Sequence, residues 1–248
     1  MSDGLSERHL QMAEDGVRLN DDSRSSEQTL NDTMKEILLY AREKFSPLGY
    51  TIEISPSITL FECQTYFHKV GGPPPNPANK NVSMRPDGGI LFAVKEERVP
   101  ILIVEDKVQG TNDKRLEKKL GRQSTGNAIE RAGKNIRGAE MLFTGNIFPY
   151  VLFASGCDFH SSETIAKRIE MMNMGYPNHS IEISPDTVQT MTSLLPNIQV
   201  KKIGGKCIAS VFVKSHKWNE MKHGASLWTK DEQVLLLKHV IDKVLETF

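Results

Sequence analysis

The sequence predicts a single α/β domain in which a central mixed sheet is flanked by helices. Short apolar runs of strand length alternate with segments whose apolar residues recur at helical spacing. A chain of 248 residues is long enough to bury the core of one such domain. Its apolar fraction of 38% and charged fraction of 25% are typical of a globular protein in water.

The amino-terminal part is predicted to change from an arm to a helix. Residues 1–25 are polar and lack a sustained period, so we expect a flexible polar arm followed by a single domain over residues 26–248. A helix is predicted from Glu27, with Ser25 or Ser26 available as its cap. Its apolar residues share one face and are Leu30, Met34, Ile37, Leu38, Ala41 and Phe45.

Two later helices are predicted from capping boxes followed by apolar residues at helical spacing. Asn127 and Glu130 form one such box, and Thr229 and Glu232 form the other. The segment 229–248 is the clearest helix of the chain because its apolar residues line a single face.

Apolar runs predict the strands of the sheet. The runs 90–94 and 99–104 are joined by a short polar link and are predicted to form an antiparallel hairpin. The runs 148–153 and 208–213 predict two further strands, and residues 50–70 are expected to hold a strand and a short helix.

Several classes of protein are excluded by composition. Cys63, Cys157 and Cys207 are odd in number and form no CxxC pair, which argues against a disulfide framework and a structural zinc site. The amino terminus lacks the basic flank and apolar stretch of a secretory signal, and no apolar run is long enough to cross a bilayer. We therefore expect a cytoplasmic protein without a membrane partner.

The charge is unevenly distributed although its sum is zero. Residues 107–137 carry nine Lys and Arg against three acidic residues, whereas the first 32 residues carry eight acidic residues against three Arg. Affinity for nucleic-acid phosphates depends on a local basic face rather than on the net charge. A run of charges is more often only a solvated face, so this segment alone does not establish a function.

Asp87, Glu105 and Lys107 form the candidate catalytic centre. Asp87 lies in the turn before the first strand of the hairpin, where an isolated aspartate is more often structural. Because side chains alternate along a strand, Glu105 and Lys107 project from one face while Asp106 points away. Two carboxylates and a lysine at one end of a hairpin favour a hard divalent cation such as Mg²⁺, which is suited to phosphodiester hydrolysis.

Four short motifs extend this centre into a family resemblance. In chain order they are PDGGI at 86–90, VEDKVQG at 104–110, GNAIER at 126–131 and FPYVLF at 148–153. Their order and approximate spacing resemble those of the EcoRI family of type II restriction endonucleases, within the PD…(D/E)xK nuclease superfamily. The resemblance covers residues 84–155 well, with a shorter echo at 168–177.

The resemblance implies a restriction-endonuclease-like fold, with a central mixed five-stranded sheet flanked by helices. It also implies a homodimer that hydrolyses double-stranded DNA with Mg²⁺ at a palindrome containing AATT, GAATTC being the default, and leaves 5′ overhangs. A cognate DNA methyltransferase is expected in the same system, though not as a stable subunit.

The resemblance further assigns roles to individual residues. Asp87, Glu105 and Lys107 fall on the catalytic positions, and the metal ligands would be Asp87, Glu105 and the main-chain carbonyl of Asp106. DNA-recognition segments are expected near 108–131 and 155–180. The expected DNA-binding residues are Gln109, Gly126, Asn127, Ala128, Glu130, Arg131, Lys134 and Arg168.

The chain departs from the family pattern beside this centre. Asp106 and Val108 flank Lys107 where the family has alanine and histidine, and Ser124 and Thr125 precede GNAIER where it has two alanines. These departures make the chemistry and the AATT core firmer expectations than the outer base pair.

Two other functions fit part of the same pattern. One is a catalytically silent, sequence-specific DNA-binding protein, and the other is a structure-specific repair nuclease that shares only the PD…ExK core. Individual residues also have structural alternatives, since Glu130 can serve as a helix cap alone and Arg131 and Lys134 can be solvated.

Overall fold

A computed structural model describes residues 21–69, 71–108, 119, 139, 142, 149–155, 182–183, 210–214 and 227–248. It contains two β-sheets and three α-helices within these ranges. The predicted helix that follows Asn127 lies outside the described residues, apart from two buried positions, Ala139 and Leu142.

Six strands form the main sheet. In chain order they are β1 (Thr51–Ser55), β4 (Ile90–Val94), β5 (Arg98–Val108), β6 (Tyr150–Ser155), β7 (Glu182–Ile183) and β8 (Ser210–Lys214). Their spatial order is β1-β4-β5-β6-β8-β7. Two short strands, β2 (Ile58–Thr59) and β3 (Ser83–Met84), pair separately.

The main sheet is mixed, as predicted. Strands β1, β4 and β5 are antiparallel neighbours, whereas β5, β6, β8 and β7 run parallel. The predicted number of five strands is not confirmed, because β7 pairs with β8 and adds a sixth strand. A two-residue ladder is too short to produce a detectable apolar alternation, so β7 could not be predicted from the sequence.

The predicted hairpin is confirmed as β4 and β5, but β5 continues beyond the apolar run. It begins at Arg98 and extends to Val108, so Glu105 and Lys107 lie within the strand rather than after it. Parallel pairing with β6 sets Glu105 opposite Leu152 and Lys107 opposite Ala154. The polar end of β5 is therefore held by backbone hydrogen bonds from a neighbouring strand.

Three helices accompany the sheets: α1 (Asp21–Phe45), α2 (Leu60–Lys69) and α3 (Lys230–Leu245). Helix α1 begins before the predicted start at Glu27, and both candidate caps, Ser25 and Ser26, lie inside it. This expectation was wrong because the Ser26 hydroxyl has a tertiary partner, Asp106, instead of a helix-terminal amide. Strand β1 and helix α2 confirm the expectation of a strand and a short helix within residues 50–70.

The carboxy-terminal helix α3 begins as predicted. Its capping box is complete, since the Thr229 hydroxyl accepts a hydrogen bond from the Glu232 amide and the Thr229 amide donates to the Glu232 carboxylate. The pairing satisfies two backbone donors that a helix start otherwise leaves open.

Helices α1 and α3 cover one face of the sheet and bury the main core. The Thr33 hydroxyl of α1 donates to the Gln233 amide oxygen of α3 at 2.8 Å, which joins the two helices in the interior. Trp228 is buried, and its ring centroid lies 5.2 Å from that of Phe153 in β6. The sheet residues of this core are Ile52, Leu91, Ala93, Ile101, Leu102, Val104, Val151 and Phe153.

The described residues also bear on membrane-spanning helices and on the cysteines. No helix in the described ranges is long and apolar enough to cross a membrane. Cys63 is a buried free thiol, and burial raises its pKa to about 12. Cys157 and Cys207 lie outside the described residues.

Candidate active site

A tight glycine turn places Asp87 beside β5. Gly89 has a φ of +76°, a left-handed conformation that residues with a side chain rarely adopt. A Cβ atom on Gly88 would lie 2.8 Å from the Val104 Cβ, and the Gly88 amide donates to the Val104 carbonyl at 2.9 Å. The turn is thus pressed against the residue that precedes Glu105.

The end of β5 presents two of the predicted residues on one face. Glu105 is 1% exposed, whereas the side chain of Lys107 is 24% exposed and that of Asp87 is 38% exposed. The three side chains therefore form a gradient from the interior to the surface. Such a gradient lets the buried carboxylate be held rigidly while the outer two groups remain accessible to a substrate.

The Lys107 ammonium is the point at which the site converges. Its Nζ lies 2.5 Å from Glu105 Oε1, 2.7 Å from Asp87 Oδ2 and 3.0 Å from the main-chain oxygen of Asp106. The Asp106 amide also donates to Asp87 Oδ2 at 3.2 Å. The structure thus brings together all three predicted catalytic residues and the predicted carbonyl ligand.

The electrostatic balance keeps Lys107 charged. Burial by itself lowers the pKa of the Lys107 ammonium, but the charge of Glu105 and hydrogen bonds to Asp87 and Glu105 outweigh it and raise that pKa above its ordinary value. A permanently charged donor beside two carboxylates is suited to an anionic substrate.

The oxygen donors fit a hard divalent cation. Two carboxylates and one carbonyl are ligands that Mg²⁺ accepts, and the Lys107 ammonium already shows that these oxygens point to a common centre. In the described ranges there is no cluster of three or more His, Cys, Asp or Glu side chains that forms a metal site. Here the third oxygen comes from the main chain, so two side chains are enough.

Asp106 occupies the opposite face of β5. Its carboxylate is 8% exposed and accepts a hydrogen bond from the Ser26 hydroxyl of α1. Burial raises the pKa of Asp106 to about 6, while Ser26 lowers it and the charge of Asp87 raises it further. Alternation along the strand predicted that this side chain points away from the site. The contact with Ser26 was not predicted, because Ser25 and Ser26 were interpreted only as candidate helix caps.

Arg85 precedes Asp87 by two residues and was not among the predicted site residues. Its side chain is exposed two residues before Asp87, and it forms no ion pair with any residue the structure describes.

The structure does not describe the predicted recognition residues. Gln109, Gly126, Asn127, Ala128, Glu130, Arg131, Lys134 and Arg168 all lie outside the described residues. Their positions relative to Asp87, Glu105 and Lys107 stay predictions.

A comparison with protein-family models decides the family. Residues 15–247 match the family described as Restriction endonuclease EcoRI, which is nearly the whole chain. The chain belongs to the EcoRI family of restriction endonucleases. A direct comparison with individual curated proteins gives no match.

Membership in the EcoRI family makes the chain a DNA-binding nuclease of a restriction system. The match extends far beyond residues 84–155, where the sequence motifs are concentrated, and includes α1 and α3. The matched range therefore includes the helices that cover one face of β5 as well as the hairpin that carries the candidate catalytic residues.

Proposed function

We propose that this EcoRI-family chain is a type II enzyme that hydrolyses double-stranded DNA with Mg²⁺ at a palindrome containing AATT. GAATTC is the first candidate site, and the products would carry 5′ overhangs. The observation that carries the proposal is the convergence of oxygens from Asp87, Glu105 and Asp106 on one cationic centre at the end of β5.

Asp87, Glu105 and the Asp106 carbonyl would hold the cation. When bound, Mg²⁺ would polarise the scissile phosphate and lower the pKa of a water molecule. Glu105 is buried and fixed by its strand, so it would set the position of the cation. Asp87 is partly exposed on its glycine turn and would face the incoming DNA.

Lys107 would act on the substrate. Its ammonium is anchored by Glu105 and Asp87 but keeps about a quarter of its surface accessible. A fixed cation at this position would neutralise charge that develops on the phosphoryl oxygens and would orient the attacking water. Because its pKa is raised, it would remain protonated at neutral pH.

Sequence recognition is proposed to reside mainly in residues 126–131. Asn127 offers the donor and acceptor pair that reads adenine, and Arg131 offers the fork that reads purine acceptors or a phosphate. Gln109 and Arg168 would add further contacts. A palindrome is read most simply by two identical subunits, which supports a homodimer in which each subunit cuts one strand.

Plasmid digestion followed by sequencing of the ends tests the proposal. We expect cutting with Mg²⁺, none with EDTA, and ends that map to AATT-containing palindromes. Scattered ends would favour a structure-specific repair nuclease. Specific binding without cutting would favour a catalytically silent DNA-binding protein, and both outcomes would overturn the proposed activity.

Substitution of Asn127 tests the recognition segment. Asn127→Ala should lose roughly 1–3 kcal/mol of discrimination between the cognate site and single-mismatch sites, because a paired base contact is removed. The ratio of cleavage rates on the two DNAs measures this. An unchanged ratio would show that Asn127 does not read a base.

A further inference from the structure

Asp106 connects two faces of β5. The catalytic face of the proposed function carries Glu105 and Lys107, and the helix-covered face packs against α1 and α3. Its amide donates to Asp87 and its carbonyl accepts from Lys107, so both backbone groups belong to the site. Its side chain points the other way and reaches α1.

The contact with α1 is buried on both sides. Ser26 is 2% exposed and its hydroxyl donates to Asp106 Oδ2. The second carboxylate oxygen, Oδ1, is buried without a hydrogen-bond partner among the residues the structure describes. A buried carboxylate with a single neutral donor is costly to the fold, so stability alone does not account for it.

Helix α1 offers a rigid frame for this contact. It packs against β5 and is joined to α3 by the buried hydrogen bond from Thr33 to Gln233. A hydroxyl on such a frame restrains the Asp106 side chain more firmly than one on a loop. The restraint passes to the backbone because the side chain and the two backbone groups share one Cα atom.

We propose that Asp106 is a positioning residue, and that the Ser26–Asp106 hydrogen bond fixes the amide and carbonyl of Asp106 in the catalytic site. This hydrogen bond joins the strand that carries Glu105 and Lys107 to the amino-terminal helix α1. The inference rests on the proposed function only for its effect on cation binding, since the effect on the strand is independent of any cation.

Amide hydrogen exchange in metal-free protein tests the positioning directly. Ser26→Ala should speed exchange in peptides covering residues 104–108 by about 10-fold, beyond any change in global stability. Thr33→Ala is the matched control, because it also removes a buried hydroxyl hydrogen bond from α1 but one that leads to α3. Equal exchange at residues 104–108 in the two variants would overturn the inference.

Cation affinity provides the second readout. Mn²⁺ binding, measured by the loss of the free-ion resonance signal, should weaken roughly 10-fold in Ser26→Ala and in Asp106→Ala, as for other groups that orient metal ligands. The double variant should bind no more weakly than Asp106→Ala, because both changes break one contact. Additive losses would overturn the inference.

The two proposals fail in different ways. Absence of Mn²⁺ binding by the unmodified protein would count against the proposed cation site, whereas the exchange comparison between Ser26→Ala and Thr33→Ala would still decide the positioning role. If Ser26→Ala does not fold, Asp106→Ala, which removes the same contact from the strand side, is measured against Thr33→Ala in the same exchange experiment.

Discussion

Both faces of β5 near residues 105–107 involve carboxylates, but these carboxylates have different partners. On the proposed catalytic face, the Lys107 ammonium forms ion pairs with Asp87 and Glu105 and stays partly exposed to solvent. On the helix-covered face, the Asp106 carboxylate lies at the edge of an apolar core with one serine donor. In the proposed function the charges of the first face act on the cation and the substrate, whereas the buried charge of the second face lowers the stability of the fold.

The largest expected effect is on the catalytic face. Lys107→Ala should slow cleavage by roughly 10²–10³-fold or more, because a fixed charge that stabilises the transition state is lost. Rates on plasmid DNA with Mg²⁺ measure this. Lys95→Ala is the control, since Lys95 is an exposed lysine at the other end of the same hairpin and should leave the rate unchanged. Comparable rates for both variants would remove Lys107 from the mechanism.

The core under the helix-covered face should respond in stability and not in chemistry. Leu102→Ala removes a side chain with 0% exposure from the core between the sheet, α1 and α3. The free energy of unfolding should fall by roughly 2–5 kcal/mol in a urea titration. Cleavage by the fraction that remains folded should be unchanged, and a selective loss of activity would show that the two faces are not separable.

The buried Asp106 carboxylate should make the free energy of unfolding depend on pH. Its folded pKa of about 6 lies above the reference value of 3.8, so ionisation favours the unfolded chain. The penalty is absent below the reference value, grows as the pH rises to about 6 and is then constant at about 3 kcal/mol.

Asp106→Asn tests this, because asparagine keeps an acceptor for Ser26 but carries no charge. In metal-free protein, urea titrations should find the variant more stable than the unmodified chain at pH 7.5, with a smaller difference at pH 4.5. A difference independent of pH would mean that ionisation of Asp106 does not carry the cost.

The smallest effect is expected at the start of α3, where the capping contacts are exposed to solvent. Thr229→Ala removes the side chain that caps the helix and should lower the free energy of unfolding by about 1 kcal/mol. Thr229→Ser keeps the hydroxyl and should lie close to the unmodified chain. Activity lost in Thr229→Ala but not explained by unfolding would connect this helix to the catalytic face.

Much of the fold was predictable because its signals are local. The hairpin of β4 and β5 follows from two apolar runs, and the start of α3 follows from Thr229 and Glu232. The sixth strand β7 was missed because two residues carry no period. The start of α1 was placed too late because Ser25 and Ser26 were both interpreted as candidate caps, whereas the partner of the Ser26 hydroxyl is 80 residues away along the chain.

The candidate site was predictable in its members but not in its arrangement. Alternation along a strand was enough to place Glu105 and Lys107 together and to turn Asp106 away. The distance from either residue to Asp87 depends on how closely the turn packs on Val104. The predicted recognition residues, from Gln109 to Arg168, remain predictions because they lie outside the described residues.

The sequence by itself determined the family, the three catalytic candidates and the helices and strands that carry them, because these depend on residue type and short spacing. Only the tertiary structure decided that the oxygens of Asp87, Glu105 and Asp106 converge on one ammonium and that Ser26 lies behind them. Such contacts join residues far apart in the chain. They are set by how the helices pack on the sheet, which no local pattern encodes.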